Sequence, residues 1–307
     1  MLAGYLAMTI TLLLWSGFFL SLRGGALSLL TPADIALTRF ALPALILFPW
    51  VWKHRSTLIA VPKQYLLGMF IGCGIPYLLV ASFGMENAPV ADGSALIPGT
   101  LPLFVSAIAV LFFKQPLSAH RIIGLIILSL GITGFLFNSF NQYQPTLFHG
   151  HLFFLLGSIM WATFTICARV ANLKALVSAG FISICSTVTL ILLVGLDVLP
   201  SYLFSQPLSN WPYSELAVHT LVQGFGAGII AAYTYLKAVT VLGAERSAAF
   251  GSATPALATL MAMLIFDEHP SAGILLSLGL VCIGSLIASN IFMKNDDSLL
   301  YQPPKHN

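Results

Sequence analysis

This chain is poor in charge. Of its 307 residues only 7% are Asp, Glu, Lys or Arg, against 58% hydrophobic, and the mean hydropathy is +0.94. A soluble globule of this size cannot be covered with so few polar side chains, so the solvent has to be lipid. Catalytic signatures are missing as well: there is no GxxxxGK[ST], no HExxH, no CxxC and no paired acid in an apolar stretch. Nucleotide hydrolysis and metalloprotease chemistry find no support, and the reading is a non-enzyme without metal or cofactor. The four cysteines, Cys73, Cys167, Cys185 and Cys282, fall inside apolar runs, where thiols behave as small hydrophobes rather than disulfide partners. No Asp, Glu or His stands at mid-depth in any long apolar run, so no proton-relay chain is visible.

What is present is a series of apolar runs of about 20 residues without period-2 alternation. Lipid cannot satisfy bare backbone groups, so these runs are helices. Ten spans are expected, at 2–22, 33–52, 65–83, 92–113, 121–138, 150–169, 176–199, 218–237, 247–266 and 272–292. Turn signals such as Thr31-Pro32, Ala88-Pro89, Gln115-Pro116 and Gln144-Pro145 separate them. The first run lacks the basic leader and small-residue cleavage site of a signal peptide and is read as a span. The longest internal connection, 200–215, carries Tyr202, Phe204, Trp211 and Tyr213, which suit a headgroup layer.

The chain also repeats itself. GYLAMTITLLLWSGFFLSLR at 4–23 returns as GHLFFLLGSIMWATFTICAR at 150–169, with Gly, Trp, Phe and Arg in register. Tryptophan is rare here, 5 in all, so the Trp15/Trp161 match carries weight. Pro102 and Pro255 stand at equal distances before the polar breaks Lys114-Gln115 and Asp267-Glu268. The second offset exceeds the first by about seven residues, which the long 200–215 connection can absorb. The expected fold is therefore an all-α polytopic membrane protein of ten transmembrane helices, arranged as two five-helix repeats (1–139 and 140–293) with a flexible tail at 294–307. Five crossings are an odd number, so the second repeat is inverted, the plan of secondary transporters with a central cavity.

Basic residues set the orientation. With the N-terminus in the cytoplasm, Lys53, Arg55, Lys63, Lys114, Arg121, Arg169, Lys174, Lys237, Arg246, Lys294 and Lys305 are cytoplasmic, and Arg23 alone is opposite. Both termini are expected in the cytoplasm of a bacterial-type inner (plasma) membrane. Arg23 and Arg169, at span ends, are expected to snorkel.

TPADIALTR at 31–39, PLFVSAIAVLFFKQPLSAHRIIG from Pro102 and PALATLMAMLIFDEHPSAG from Pro255 resemble the drug/metabolite transporter superfamily, specifically its EamA-type members. The family pattern places a Trp in the first span of each repeat, an Arg early in the second, and a Pro in the fourth about a dozen residues before a Gly-Glu pair. Trp15, Trp161, Arg39, Pro102, Pro255 and Glu268 match it. Lys114-Gln115 and Asp267 depart from the Gly-Glu pattern, and Arg39 has no clear counterpart in the second half. The resemblance implies an exporter or exchanger of small metabolites with a cavity between the halves, working by alternating access. The solute is read as an amino acid or a related zwitterionic or aromatic molecule. The other readings are an importer or exchanger of a bulkier, nucleoside-like metabolite and, outside transport, a pore or scaffold.

Candidate site residues follow from side-chain chemistry. Pro76, Pro98, Pro102 and Pro255 free carbonyls inside spans and either line a wet cavity or let helices pack closely. Trp15, Tyr77, Trp161 and Tyr233, with Tyr235 nearby, combine a flat apolar face with a polar handle. Ser16, Asn87, Thr163 and Gln223 supply directional hydrogen bonds. Arg39 lies roughly 9 Å into its helix, where it grips a solute carboxylate or phosphate, pairs with Asp34, Asp92 or backbone oxygens, or snorkels to the outer interface. Transport is read as downhill, exchange-driven or coupled through peripheral acids such as Asp92, Glu245 and Glu268, and the other reading of Asp92 and Glu245 is as N-cap or first-turn acids complementing the helix dipole. The expected partners are a small solute and the lipid bilayer, with no nucleic acid, and a monomer suffices.

Overall fold

The computed structural model describes residues 1–114, 116–141, 145–243, 247 and 250–289. Gln115, Glu245, Arg246, Lys294, Lys305 and the expected tail at 294–307 lie outside the described residues. Among the described residues every regular element is helical. Eight helical stretches, 2–26, 32–53, 63–87, 90–112, 119–140, 145–171, 175–195 and 213–242, are long and apolar enough to cross a membrane, and two shorter apolar helices, Thr254–Phe266 and Ala272–Ala288, follow. The chain is a multi-pass membrane protein.

In chain order the helices are α1 (Leu2–Ala26), α2 (Pro32–Lys53), α3 (Arg55–Ile59), α4 (Lys63–Cys73), α5 (Ile75–Asn87), α6 (Val90–Leu96), α7 (Leu101–Phe113), α8 (Ala119–Asn141), α9 (Pro145–Ala171), α10 (Ala175–Gly195), α11 (Tyr202–Ser205), α12 (Tyr213–His219), α13 (Ala231–Leu242), α14 (Thr254–Phe266) and α15 (Ala272–Ala288). A π-helical stretch, Thr220–Ile230, joins α12 to α13. The expected third and fourth spans are not continuous helices. Gly74 leaves helical geometry at φ −89, ψ −156, and Pro76 restarts the chain at the second position of α5. Residues 97–100, around Pro98, separate α6 from α7. The Thr31-Pro32 signal is realised as a capping box, with Thr31 N–H donating to the Asp34 carboxylate at 2.9 Å.

The two proline-marked helices have one design. α7 and α14 are each 13 residues long, each carries its proline at the second position, and each ends on a left-handed residue, Lys114 at φ 51 and Asp267 at φ 55. A Gly-Glu pair suits such a place because glycine adopts positive φ freely. Lys114 and Asp267 hold that conformation with a Cβ.

Helix pairing follows the small residues. α8 runs along α15, α2 along α10, α9 packs on α4 and α5, and α1 packs on α13 and the π-helical stretch. A Cβ at Gly284 of α15 would sit 2.7 Å from Leu128 Cα and 2.8 Å from Gly124 O of α8. A Cβ at Gly72 of α4 would strike the Met160 carbonyl and Phe164 of α9. Lipid supplies no hydrophobic drive between helices, so such backbone approach is what holds them together. Each of these pairings has a counterpart when the first five apolar segments are exchanged with the last five.

The candidate solute cavity and its closed end

Helix ends sort onto two faces. On one, rich in Lys and Arg, Lys174 Nζ lies 3.2 Å from His54 Nε2, and the start of α1 packs by Gly4 against Leu242 at the end of α13. On the other, Arg23, Met85, Val90 and Glu268 meet.

A cavity of about 800 Å³ runs in from the basic face. Its rim carries Asn172, Lys174, Ser247 and Ser289, and its depth holds Trp15, Arg39, Cys73, Pro98, Pro102, Trp161, Tyr235 and Pro255. The four interrupted or shortened segments thus converge on one space. Trp15 and Trp161, matched in the sequence, touch edge to face with centroids 6.2 Å apart, and Tyr235 and Tyr77 extend the cluster at 5.1 and 6.1 Å. Arg39 lies over the Phe18 ring at 5.5 Å and donates through Nη1 to the Gln223 carbonyl at 2.8 Å. One arm of the guanidinium is therefore fixed by backbone while the residue lines the cavity, a geometry suited to an anionic group.

Other site residues are placed differently. Tyr233 is 61% exposed and does not line the cavity, while Tyr235 lines it, because two residues along a helix turn the side chain to the other side. Asn87 belongs to a separate pocket on the opposite face and donates to the Phe83 carbonyl at 2.8 Å. Thr163 donates to its own helix at Ile159 O, 3.0 Å, and faces α4 near Gly68. Ser16 bonds the Thr254 carbonyl at 3.4 Å and ties α1 to α14. Gln223 is buried and donates to Phe18 O at 3.1 Å. Pro76 starts α5 and is not among the cavity-lining residues, although Tyr77 beside it stacks on Phe18 at 6.5 Å. Asp34 does not pair with Arg39; its carboxylate accepts from Ser201 Oγ at 2.5 Å and from Tyr202 N–H at 2.9 Å.

Arg23, Met85, Val90 and Glu268, which meet on the opposite face, are not among the residues that line this cavity. Arg23 does not snorkel: its Nε donates to Glu268 Oε1 at 2.8 Å and its Nη1 to Met85 O at 2.8 Å. Glu268 Oε2 accepts from Val90 N–H at 3.0 Å. This latch joins the end of α1, the end of α5, the start of α6 and the α14–α15 connection. Its members are 245 residues apart in sequence, and no local pattern announces them. Behind it Asp92, expected as a first-turn acid facing the helix dipole, bonds His151 of α9 at 2.6 Å, fully buried. An ionisable pair inside the bundle was not legible from spans counted one at a time.

Three comparisons bear on identity. A protein named "Uncharacterized transporter" from Clostridium kluyveri is 23% identical over 313 residues, covering 96% of this chain and 95% of its own. A crystal structure superposes with a TM-score of 0.60 at 18% identity, covering 93% of this chain and 96% of that one, which speaks for a shared fold. Over residues 148–290 the chain matches the EamA-like transporter family, the family its own Trp, Arg and Pro motifs resemble.

Proposed function

We propose that this protein is a secondary transporter of a small solute, built from two inverted five-helix units at 1–139 and 140–293, with both termini in the cytoplasm of a bacterial-type inner membrane. The observation that carries this reading is the 800 Å³ cavity between those units, apolar and aromatic-walled, with Arg39 at its depth and the Arg23–Glu268 contact on the opposite face. Volumes of about 300–1,000 Å³ with a few fixed polar groups are typical of small-molecule sites. The excess of Lys and Arg on the cavity's open face supports placing that face in the cytoplasm. Alternating access follows: the solute enters from the cytoplasm, the units rock, and the Arg23–Glu268 contact opens as the mouth at Lys174 and Ser247 closes. A guanidinium beside indole and phenol faces favours an amino acid or a related zwitterionic or aromatic solute, moved outward or in exchange.

A ligand-stabilisation screen on purified protein tests the site. A solute held at about 100 times its dissociation constant adds about 2.7 kcal/mol of stability. At least one amino acid or aromatic metabolite is expected to raise the melting temperature of the wild type, with a reduced rise in Arg39→Met and Trp161→Ala. A panel that stabilises neither wild type nor variants, or all three alike, contradicts the assignment.

A further inference from the structure

We infer that Asp92 and His151 form a proton-binding switch that sets the strength of the Arg23–Glu268 latch. The inference rests on the transporter reading for its purpose, but its geometry stands alone. Asp92 is 1% and His151 0% exposed, their bond is 2.6 Å, and the T-shaped contact of Phe135 with the imidazole, 5.9 Å between centroids, seals one side. Asp92 Oδ1 and His151 Nδ1 have no hydrogen-bond partner among the described residues. Beside the pair lies a pocket of about 340 Å³ on the latched face, lined by Asp92 together with Arg23, Glu86, Asn87, Asn138 and His269. Protons thus have a polar route to the pair from that face without crossing the main cavity.

The charge balance gives the mechanism. With two exchangeable protons held between the imidazole and the carboxyl group, whichever of them carries the second, the pair is neutral overall. When one proton passes to water in the pocket, a neutral imidazole is left donating Nε2–H to a carboxylate, and the buried site carries one negative charge. Such a charge in a dry site requires a counter-ion. The charged or titratable groups facing it are Arg23 from α1, Glu86 from α5, and Glu268 and His269 from the α14–α15 connection; α8 offers only Asn138 and Phe135. Arg23 is the cation among them. Deprotonation therefore sets Asp92 and Glu268 in competition for one guanidinium, and Val90, whose N–H holds Glu268, is two residues from Asp92 on the same helix. Proton binding tightens the latch and proton loss loosens it, which couples the outer gate to pH.

Amide hydrogen exchange followed by mass spectrometry tests this without a substrate, with labelling times scaled to the chemical exchange rate at each pH. Peptides covering 83–93 and 266–271 are expected to lose protection about tenfold or more, reversibly, as the pH is raised from the acid to the alkaline end of the range in which the protein stays folded. Asp92→Asn is expected to abolish that response; His151→Gln, measured as well in case Asp92→Asn does not fold, is expected to abolish or displace it. Equal protection at both pH values in the wild type, or an unchanged response in a folded variant, overturns the switch. A pH response with no saturable flux for any solute sinks the transporter reading alone, and flux without the pH response sinks the switch alone.

Discussion

Replacing Glu268 by Gln should open the latched face. In the closed form the carboxylate accepts from Arg23 Nε at 2.8 Å and from Val90 N–H at 3.0 Å, with the two side chains only 19% and 12% exposed. Screening at that burial is weaker than for a surface pair. Glutamine keeps an acceptor for Val90 but loses the charge facing Arg23, and a hydrogen bond to a charged group contributes about 1.5–3 kcal/mol. The ratio of outward-open to closed molecules should therefore rise by about 10- to 150-fold. Cys73, a native thiol in the main cavity, is the reporter. In a background carrying Cys167→Ala, Cys185→Ala and Cys282→Ala, a membrane-impermeant maleimide added to right-side-out vesicles should label Cys73 slowly with Glu268 in place and about 10-fold faster or more in E268Q. Equal labelling rates refute the idea that this contact closes the cavity.

Three structural predictions accompany it. Lys114 ends α7 at φ 51, where a Cβ is strained, so Lys114→Gly should stabilise the protein by about 1 kcal/mol in a thermal or denaturant assay, and a loss of stability would contradict the strain. Asp34 accepts from Thr31, Ser201, Tyr202 and Leu203, so Asp34→Ala should cost about 3 kcal/mol or more and raise exchange at 201–203, whereas a change below about 1 kcal/mol would mean these bonds hold nothing in place. Gly284→Ala forces a methyl into the backbone of α8 and should cost about 1–3 kcal/mol, while the same change at Gly279, where a Cβ meets nothing within 4 Å, should leave the melting temperature near wild type.

Part of the candidate cavity's lining was legible because membrane chemistry writes it in single residues. Proline and glycine in apolar runs marked the breaks at Gly74 and around Pro98, and the rare Trp15/Trp161 match marked two side chains that meet in the cavity. Arg39 stood out as the ionic residue within a span, and the structure places it at the cavity wall. Helical phase was harder to read. Tyr233 and Tyr235 are two residues apart and take opposite surroundings, and the π-helical stretch just before them changes the register that a 3.6-residue count assumes. Pairings across the bundle were not legible at all. Arg23 with Glu268 and Asp92 with His151 join residues 245 and 59 positions apart, and each partner alone resembles an ordinary span-end residue. Burial, not depth along a single helix, is what turns Asp92 and His151 into an unusual pair.

Solute counterflow in proteoliposomes tests the central claim, that the cavity carries a solute between faces, most directly. Vesicles preloaded with each amino acid, nucleoside or aromatic metabolite of a panel are given the labelled compound outside. At least one compound should show saturable, transient accumulation above protein-free vesicles, and Trp161→Ala and Arg39→Met should reduce it while remaining folded. No accumulation across the panel, or a flux that rises linearly with concentration without saturating, contradicts the account.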